Sequence, residues 1–324
     1  MRKAAAICLL LLMISFIFAG ITYAVELTIV TGKESGTYYR FGLDLKTLGE
    51  SHDFQLTVVP SNGSIENLNA VYKRPNTQLG IVQSDVLAFI SRTKSNEMLR
   101  SVANKTKMVF PLYNEEVHLL ARTDISDFDA LRGKRVAIGE DGSGTYLTAK
   151  LLFEMSKIRP GDQVLIGTDD ALAMLKAGKI DAMFYVAGYP VKLFSESVKT
   201  GDALHLVSIT NQNILRYYPK AEIPGNTYDW QKEAVNTIAV KAVLVSFDFK
   251  SANCDNVGRF AEMVWNNQNW LAQNGHSKWK SVDLEYDLKG WEQFNCARKY
   301  IAKSKRKDPV RFNPVFEAIK EILE

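Results

Sequence analysis

The chain is short of almost everything that marks an enzyme or a nucleic-acid binder. Its 324 residues hold 3 cysteines and 4 histidines. His52, His118, His205 and His276 stand too far apart in sequence for metal-ligand spacing. LRGKRV lacks the spacing of a phosphate-binding loop, and GSG at 142–144 is not a nucleophile elbow. Two acid pairs remain, and they read as ordinary structure: Glu115–Glu116 as a linker, Asp169–Asp170 as a helix start. These absences favour binding over catalysis, with no cofactor or metal. Charge of one sign is missing too. The formal net charge is +4, and removal of Arg2 and Lys3 with a leader would leave +2 (4 − 2). No basic stripe accompanies it, which excludes a nucleic-acid partner. KSKRKD at 303–308 reads as a solvated loop. Past the N-terminus, no apolar run reaches the ~20 residues that a membrane-spanning helix needs.

What is present begins with that N-terminus. MRK is a short positive start, AAAICLLLLMISFIFAG an uncharged apolar run, and TYA supplies small residues before a cut after Ala24. This is the pattern of a secretory signal peptide, and it places the mature chain in the periplasm. Cys254 and Cys296 then form an even pair in a compartment that permits a disulfide. The roughly 300 residues that follow the leader suit two domains.

Short apolar runs alternate with helical spacing along the chain. ELTIVT, FQLTVV and LGIV read as strands, each followed by a helix: TYYRFGLDLKTLG, SIENLNAVY and DVLAFIS. Tyr38, Phe41, Leu45 and Leu48 share one helical face. MVFPLY closes this set, and EEVHLLARTD connects it to a second. There RVAIG, QVLIG, AMFYV and HLVSI alternate with TYLTAKLLFEMSKI, DDALAMLKAG and PVKLFSESV, with Pro190 as the first helical residue of the last. Leu147, Leu151, Met155 and Ile158 form one stripe. Such alternation predicts parallel sheets with helices on both faces. NTIAVKAVLVSF is a long strand that returns to the first set, and helices occupy the C-terminal region, PVFEAIKEILE last. The expected architecture is α/β and two-lobed, with residues 25–115 and 238–324 in lobe 1 and 116–237 in lobe 2. Two crossovers would form a hinge, and the ligand cleft would lie between the lobes.

The candidate site follows from a repetition. SGTY occurs at 35–38 and again at 143–146, each time after a strand and at a helix start. Ligands of open parallel sheets bind where strands end and helices begin, and a helix N-terminus offers unpaired N–H groups and a partial positive charge. Small residues let an anion approach, and Ser35, Thr37, Ser143 and Thr145 add hydroxyls beside Gly36 and Gly144. Tyr38 and Tyr146 would add aromatic walls. The same topological position holds Asn62 and Ser64 in SNGS, Gln83, Ser84 and Asp85 in QSD, and Tyr185 and Gly188 in AMFYVAGYP. Each motif alone is also a normal helix cap. Asp85 or Asp141 would meet a ligand ammonium, and Asp141 reads equally as a residue facing water.

Taken in order, SGTYYRFG, SNGSIENL, LGIVQSD, LRGKRVAIGEDGSGT, KIDAMFYVAGYP and IPGNTY make the chain similar to the TAXI solute receptors of TRAP (tripartite ATP-independent periplasmic) transporters. That resemblance implies a type II periplasmic binding protein fold. It implies capture of a small organic anion, a glutamate-like amino acid or a dicarboxylate, and its delivery to the membrane permease subunits of such a transporter. It places Gly36, Thr37, Tyr38, Gln83, Ser84, Asp85, Ser143, Gly144 and Thr145 in the pocket. The chain departs from the family pattern in TGKESGTYY, where Lys33 and Glu34 bring charge to the first loop, and in GEDGSGT. A periplasmic sensor that presents the solute to a membrane receptor kinase is the alternative use of the same fold.

Overall fold

The computed structural model describes residues 24–92 and 97–307. The leader up to residue 23 and the closing PVFEAIKEILE lie outside the described residues.

Three strand–helix units open the chain. Strand β1 (Val25–Val30) leads to α1 (Thr37–Glu50), β2 (Phe54–Val59) to α2 (Ser64–Lys73), and β3 (Leu79–Gln83) to α3 (Ser84–Arg92). Helix α4 (Glu97–Lys105) then feeds β4 (Thr106–Arg122). The second lobe follows as β5 (Arg135–Ala137), α5 (Gly144–Ser156), β6 (Asp162–Val164), α6 (Thr168–Lys176), β7 (Ala182–Ala187), α7 (Lys192–Ser197), β8 (Leu204–Leu206), α8 (Gln212–Leu215) and β9 (Lys220–Ile223). Strand β10 (Val235–Phe247) returns, and α9 (Ser251–Asn266), α10 (Gln268–Asn274) and α11 (Asn295–Lys307) close the described chain.

The sheet is mixed rather than parallel throughout. β1 pairs in parallel with β2 and β3, and β5 with β6 and β7. β10 runs antiparallel between β3 and β4, while β4 runs antiparallel to β7 and β8. The order β2-β1-β3-β10-β4 therefore recurs as β6-β5-β7-β4-β8. In each lobe the fourth position is taken by a strand that arrives from the other. The two crossovers are thus β4 and β10 themselves, and their pairing is irregular between Lys241 and Val243 and between Leu244 and Val245.

EEVHLLARTD does connect the lobes, but as the second half of a crossover strand rather than as a linker. MVFPLY and EEVHLLAR form one 17-residue strand. A strand buried on both faces shows an apolar run without alternation, which hides its continuity. Glu115 and Glu116 sit in its middle at 2% and 4% exposure, where a linker reading leaves them in water.

Each lobe has its own core. In lobe 1 Phe41 stacks on Trp279 at 4.3 Å and meets Tyr113 at 4.4 Å. The predicted face of α1, Tyr38, Phe41, Leu45 and Leu48, is buried in this cluster. Trp279 donates from Nε1 to Asp44 at 2.8 Å, which ties the C-terminal segment to α1. In lobe 2 Phe128, Phe153 and Phe184 form an aromatic cluster. The predicted stripe of α5 divides: Met155 and Ile158 pack into that core, while Leu147 and Leu151 pack on lobe 1 residues that include Val86 and Ile90.

Cys254 on α9 and Cys296 on α11 are joined, with Cα atoms 5.5 Å apart. Pro190 is not the first helical residue, because α7 begins at Lys192. Residues 303–307 continue α11 rather than forming a loop. Among the described residues, no helix is long and apolar enough to cross a membrane.

Candidate functional site

Between the lobes lies a cavity of about 90 Å3, and both SGTY junctions border it. Lobe 1 supplies Gly32, Lys33, Gly36, Thr37, Tyr38, Asn62, Gly63, Ser64, Gln83 and Glu115. Lobe 2 supplies Gly139, Glu140, Ser143, Gly144, Thr145, Gly167, Thr168, Tyr185, Val186 and Ala187.

Four helices begin on its wall. Their N-cap residues are Gly36 for α1, Gly63 for α2, Ser143 for α5 and Gly167 for α6. None of the three glycine caps has a side-chain oxygen to occupy its first N–H groups. The first turns of α1 and α5 contain no acidic residue. Four dipole ends thus border one small volume; Glu66 in the first turn of α2 and Asp169 and Asp170 in that of α6 offset two of them, so the starts of α1 and α5 are the ones that favour a negatively charged guest.

The hydroxyls divide by what they already do. The Ser143 Oγ accepts from the Tyr146 amide at 3.1 Å, and the Thr145 Oγ1 accepts from the Val186 amide at 3.2 Å. Both keep their own proton for a ligand. Thr37 instead donates to the Gly188 carbonyl at 3.1 Å, a bond from one lobe to the other. Ser64 accepts from the Gln83 amide at 3.0 Å. The side-chain carbonyl Oε1 of Gln83 is buried and has no partner. A buried orphan acceptor costs about 1–3 kcal/mol, so a donor on the guest would relieve it.

Behind the helix starts lies an acid. Tyr38 donates its hydroxyl to Glu115 Oε2 at 2.7 Å. Burial pushes the Glu115 carboxyl well above the usual carboxylate range, against the opposing pull of that hydrogen bond. At the mouth, Lys33 reaches Glu140 across the cleft at 3.1 Å. This pair is about 40% exposed and contributes little to stability.

Gly144 holds a close approach between the lobes. A Cβ there would lie 1.9 Å from Gln83 Oε1 and 2.8 Å from Ser64 Oγ. Gly139 has φ +95°, and a Cβ on it would meet the Ser143 Oγ at 2.9 Å.

Of the residues expected at the site, Gly36, Thr37, Tyr38, Asn62, Ser64, Gln83, Ser143, Gly144, Thr145 and Tyr185 border the cavity. The others do not. Ser35 is not part of the cavity wall. Ser84 accepts from the Lys241 amide at 3.0 Å. Asp85 accepts from Thr148 at 2.7 Å and Tyr218 at 3.0 Å, so it faces protein donors rather than a ligand ammonium. Asp141 lies on the outer rim of the cleft with Glu66, Lys73 and Arg74. Gly188 contributes its carbonyl to Thr37, and a Cβ on it would meet the Tyr113 ring at 2.7 Å. Tyr146 turns away to the lobe 2 core. Sequence reasoning missed Glu115, because β4 was cut in two. It missed Gly167–Thr168 as well, although QVLIG followed by TDDAL is one more strand–helix junction of the same kind.

A two-lobed α/β molecule with crossover strands and an interlobe cavity has the fold of the periplasmic binding proteins. BugD, a periplasmic binding protein, is 8% identical and superposes with a TM-score of 0.54 over 88% of this chain and 96% of its own. A periplasmic transporter protein is 14% identical, with a TM-score of 0.52 over 77% of this chain and 84% of its own. The NMT1-like family matches residues 29–292, and the chain belongs to it.

Proposed function

We propose that the protein is an extracytoplasmic solute receptor that captures a small organic anion and passes it to a membrane transporter. The observation that supports this most is the convergence of four helix N-termini on one cavity between two lobes. A guest carboxylate would accept N–H bonds there and hydroxyl bonds from Ser143 and Thr145. Charge-assisted bonds of this kind contribute roughly 1.5–3 kcal/mol each.

The finer reading keeps the TAXI likeness. The ligand class is a glutamate-like amino acid or a dicarboxylate, and the partner is the permease of a TRAP-type secondary transporter. Gln83 Oε1 favours the first of these, since an ammonium or amide N–H would satisfy it while a plain dicarboxylate would not. Residues 25–115 with 238–324, and 116–237, are the two bodies that would close on the guest. The leader expected at 1–24 would place the protein in the periplasm.

Isothermal titration calorimetry with L-glutamate, L-aspartate, succinate and 2-oxoglutarate tests this, with glucose and putrescine as neutral and cationic controls. At least one anion binds on this reading, and Thr37→Ala and Ser143→Ala each weaken it. For Thr37 the loss acts through its bond to Gly188, and for Ser143 through a ligand donor and a helix cap. Binding of glucose or putrescine alone would overturn the reading.

A further inference from the structure

Asp85 was expected to meet a ligand, and it does not border the cavity. It stands in the first turn of α3, in lobe 1, and its Oδ1 accepts from the Val86 amide at 2.9 Å. Its other oxygen, Oδ2, receives two hydroxyls from lobe 2: Thr148 on α5 at 2.7 Å and Tyr218, just beyond α8, at 3.0 Å. Both donors are buried in lobe 2, Thr148 at 0% exposure and Tyr218 at 8%. The surroundings are apolar. Leu147 and Leu151, the part of the α5 stripe that leaves its own lobe, pack against a lobe 1 cluster containing Val86, Leu87 and Ile90. None of Asp85, Thr148 and Tyr218 borders the cavity.

A carboxylate in an apolar seam is costly unless its oxygens are bonded. Here the bonds exist only while the lobes are together, because both donors ride on the opposite body. On opening, the carboxylate regains water and the donors lose their acceptor. The seam therefore senses the lobe geometry itself and not the guest.

We propose that Asp85 is a positioning residue for closure: its carboxylate takes the Thr148 and Tyr218 hydroxyls across the cleft and so biases the lobes toward the closed form, outside the solute site. Burial pushes its carboxyl above the usual range, while the two hydroxyls pull it down, as expected for a charge that relies on those donors. The inference rests on the two-lobed fold and not on what the cavity binds. A measurement without any ligand therefore separates its failure from a failure of the proposed function.

The experiment is pulsed electron resonance on ligand-free protein, with nitroxides at exposed Lys73 and Asp170, one in each lobe. The native disulfide stays oxidised. Asp85→Ala also removes the acceptor of a first-turn amide, so the cleaner change is the pair Thr148→Val with Tyr218→Phe, which leaves Asp85 and its bond to Val86 in place. That pair leaves the Asp85 Oδ2 without donors in the closed seam, while Oδ1 keeps the Val86 amide. The longer-distance population is expected to become the major one, while Thr148→Ser, which keeps the hydroxyl, retains the parent distribution. Asp141→Asn, a change of charge at the cleft rim, should leave it unmoved. A distance distribution in the Val/Phe pair that superimposes on the parent overturns the proposal. So does an equal shift produced by Asp141→Asn.

Discussion

Gly144 has no room for a side chain unless Gln83 shifts. A Cβ would meet the buried amide of Gln83 at 1.9 Å, from the opposite lobe. The backbone there has no need of glycine's conformational freedom, since Gly144 is an ordinary helical residue of α5 with no positive φ. The demand is one of space, and it exists only in the closed form. Gly144→Ala should therefore fold normally but resist closure. We expect its melting temperature in the absence of ligand to stay within a few degrees of the parent. Its solute affinity should fall by about tenfold or more, which corresponds to ~1.4 kcal/mol or more spent on displacing Gln83. Calorimetry beside a thermal melt checks both halves, and an unchanged affinity would mean that Gln83 moves aside without cost.

At the scale of elements, the same strand order is built twice, and each helix N-terminus at the cavity is the product of one strand–helix unit. Among the described helices, α9 and α11 have no counterpart in lobe 2. They pack on lobe 1, and the Cys254–Cys296 bond links them across a separation of 42 residues. Chain entropy assigns a loop of that length roughly 4 kcal/mol. Cys254→Ser with Cys296→Ser should lower the unfolding free energy from urea titration by an amount of that order while leaving solute affinity intact, because neither helix borders the cavity. A loss of affinity at full folding would instead connect α9 and α11 to the lobe geometry.

For the whole molecule, pH acts through groups that folding buries. His118 on β4 is fully buried. Val191 N–H donates to the Tyr228 hydroxyl at 3.1 Å, Tyr228 lies 2.9 Å from His118 Nε2, and His118 Nδ1 lies 3.0 Å from the Glu116 carbonyl. That chain is satisfied when Nδ1 carries the proton and Nε2 accepts, so the imidazole is neutral. Burial holds its pKa down at about 4, from an ordinary value of 6.5. The folded state thus binds fewer protons than the unfolded chain between pH 6.5 and 4. Stability must fall as the pH drops through that window, by roughly 3 kcal/mol from this residue. Glu115 and Glu116 act in the opposite direction, since burial raises both. The difference between variants therefore matters more than the net slope. Urea titrations at pH 7.5 and 5.0 should show a smaller loss on acidification in His118→Gln than in the parent. An equal loss in both would remove His118 from the account.

The sequence by itself determined the alternation of strands and helices, the buried face of α1, the pairing of two cysteines and the repeated SGTY junction. Periodicity, caps and small residues are local properties, readable within a few turns of chain. Tertiary structure alone decided which junctions face one another. It joined two apolar runs into β4 and so moved Glu115 from a supposed linker into the cavity wall. It took Asp85, a good local candidate for a ligand acid, and gave it two hydroxyl partners from a different lobe, at Thr148 and Tyr218. No pattern along the chain carries that information, because the partners lie 63 and 133 residues away and meet only when the lobes close.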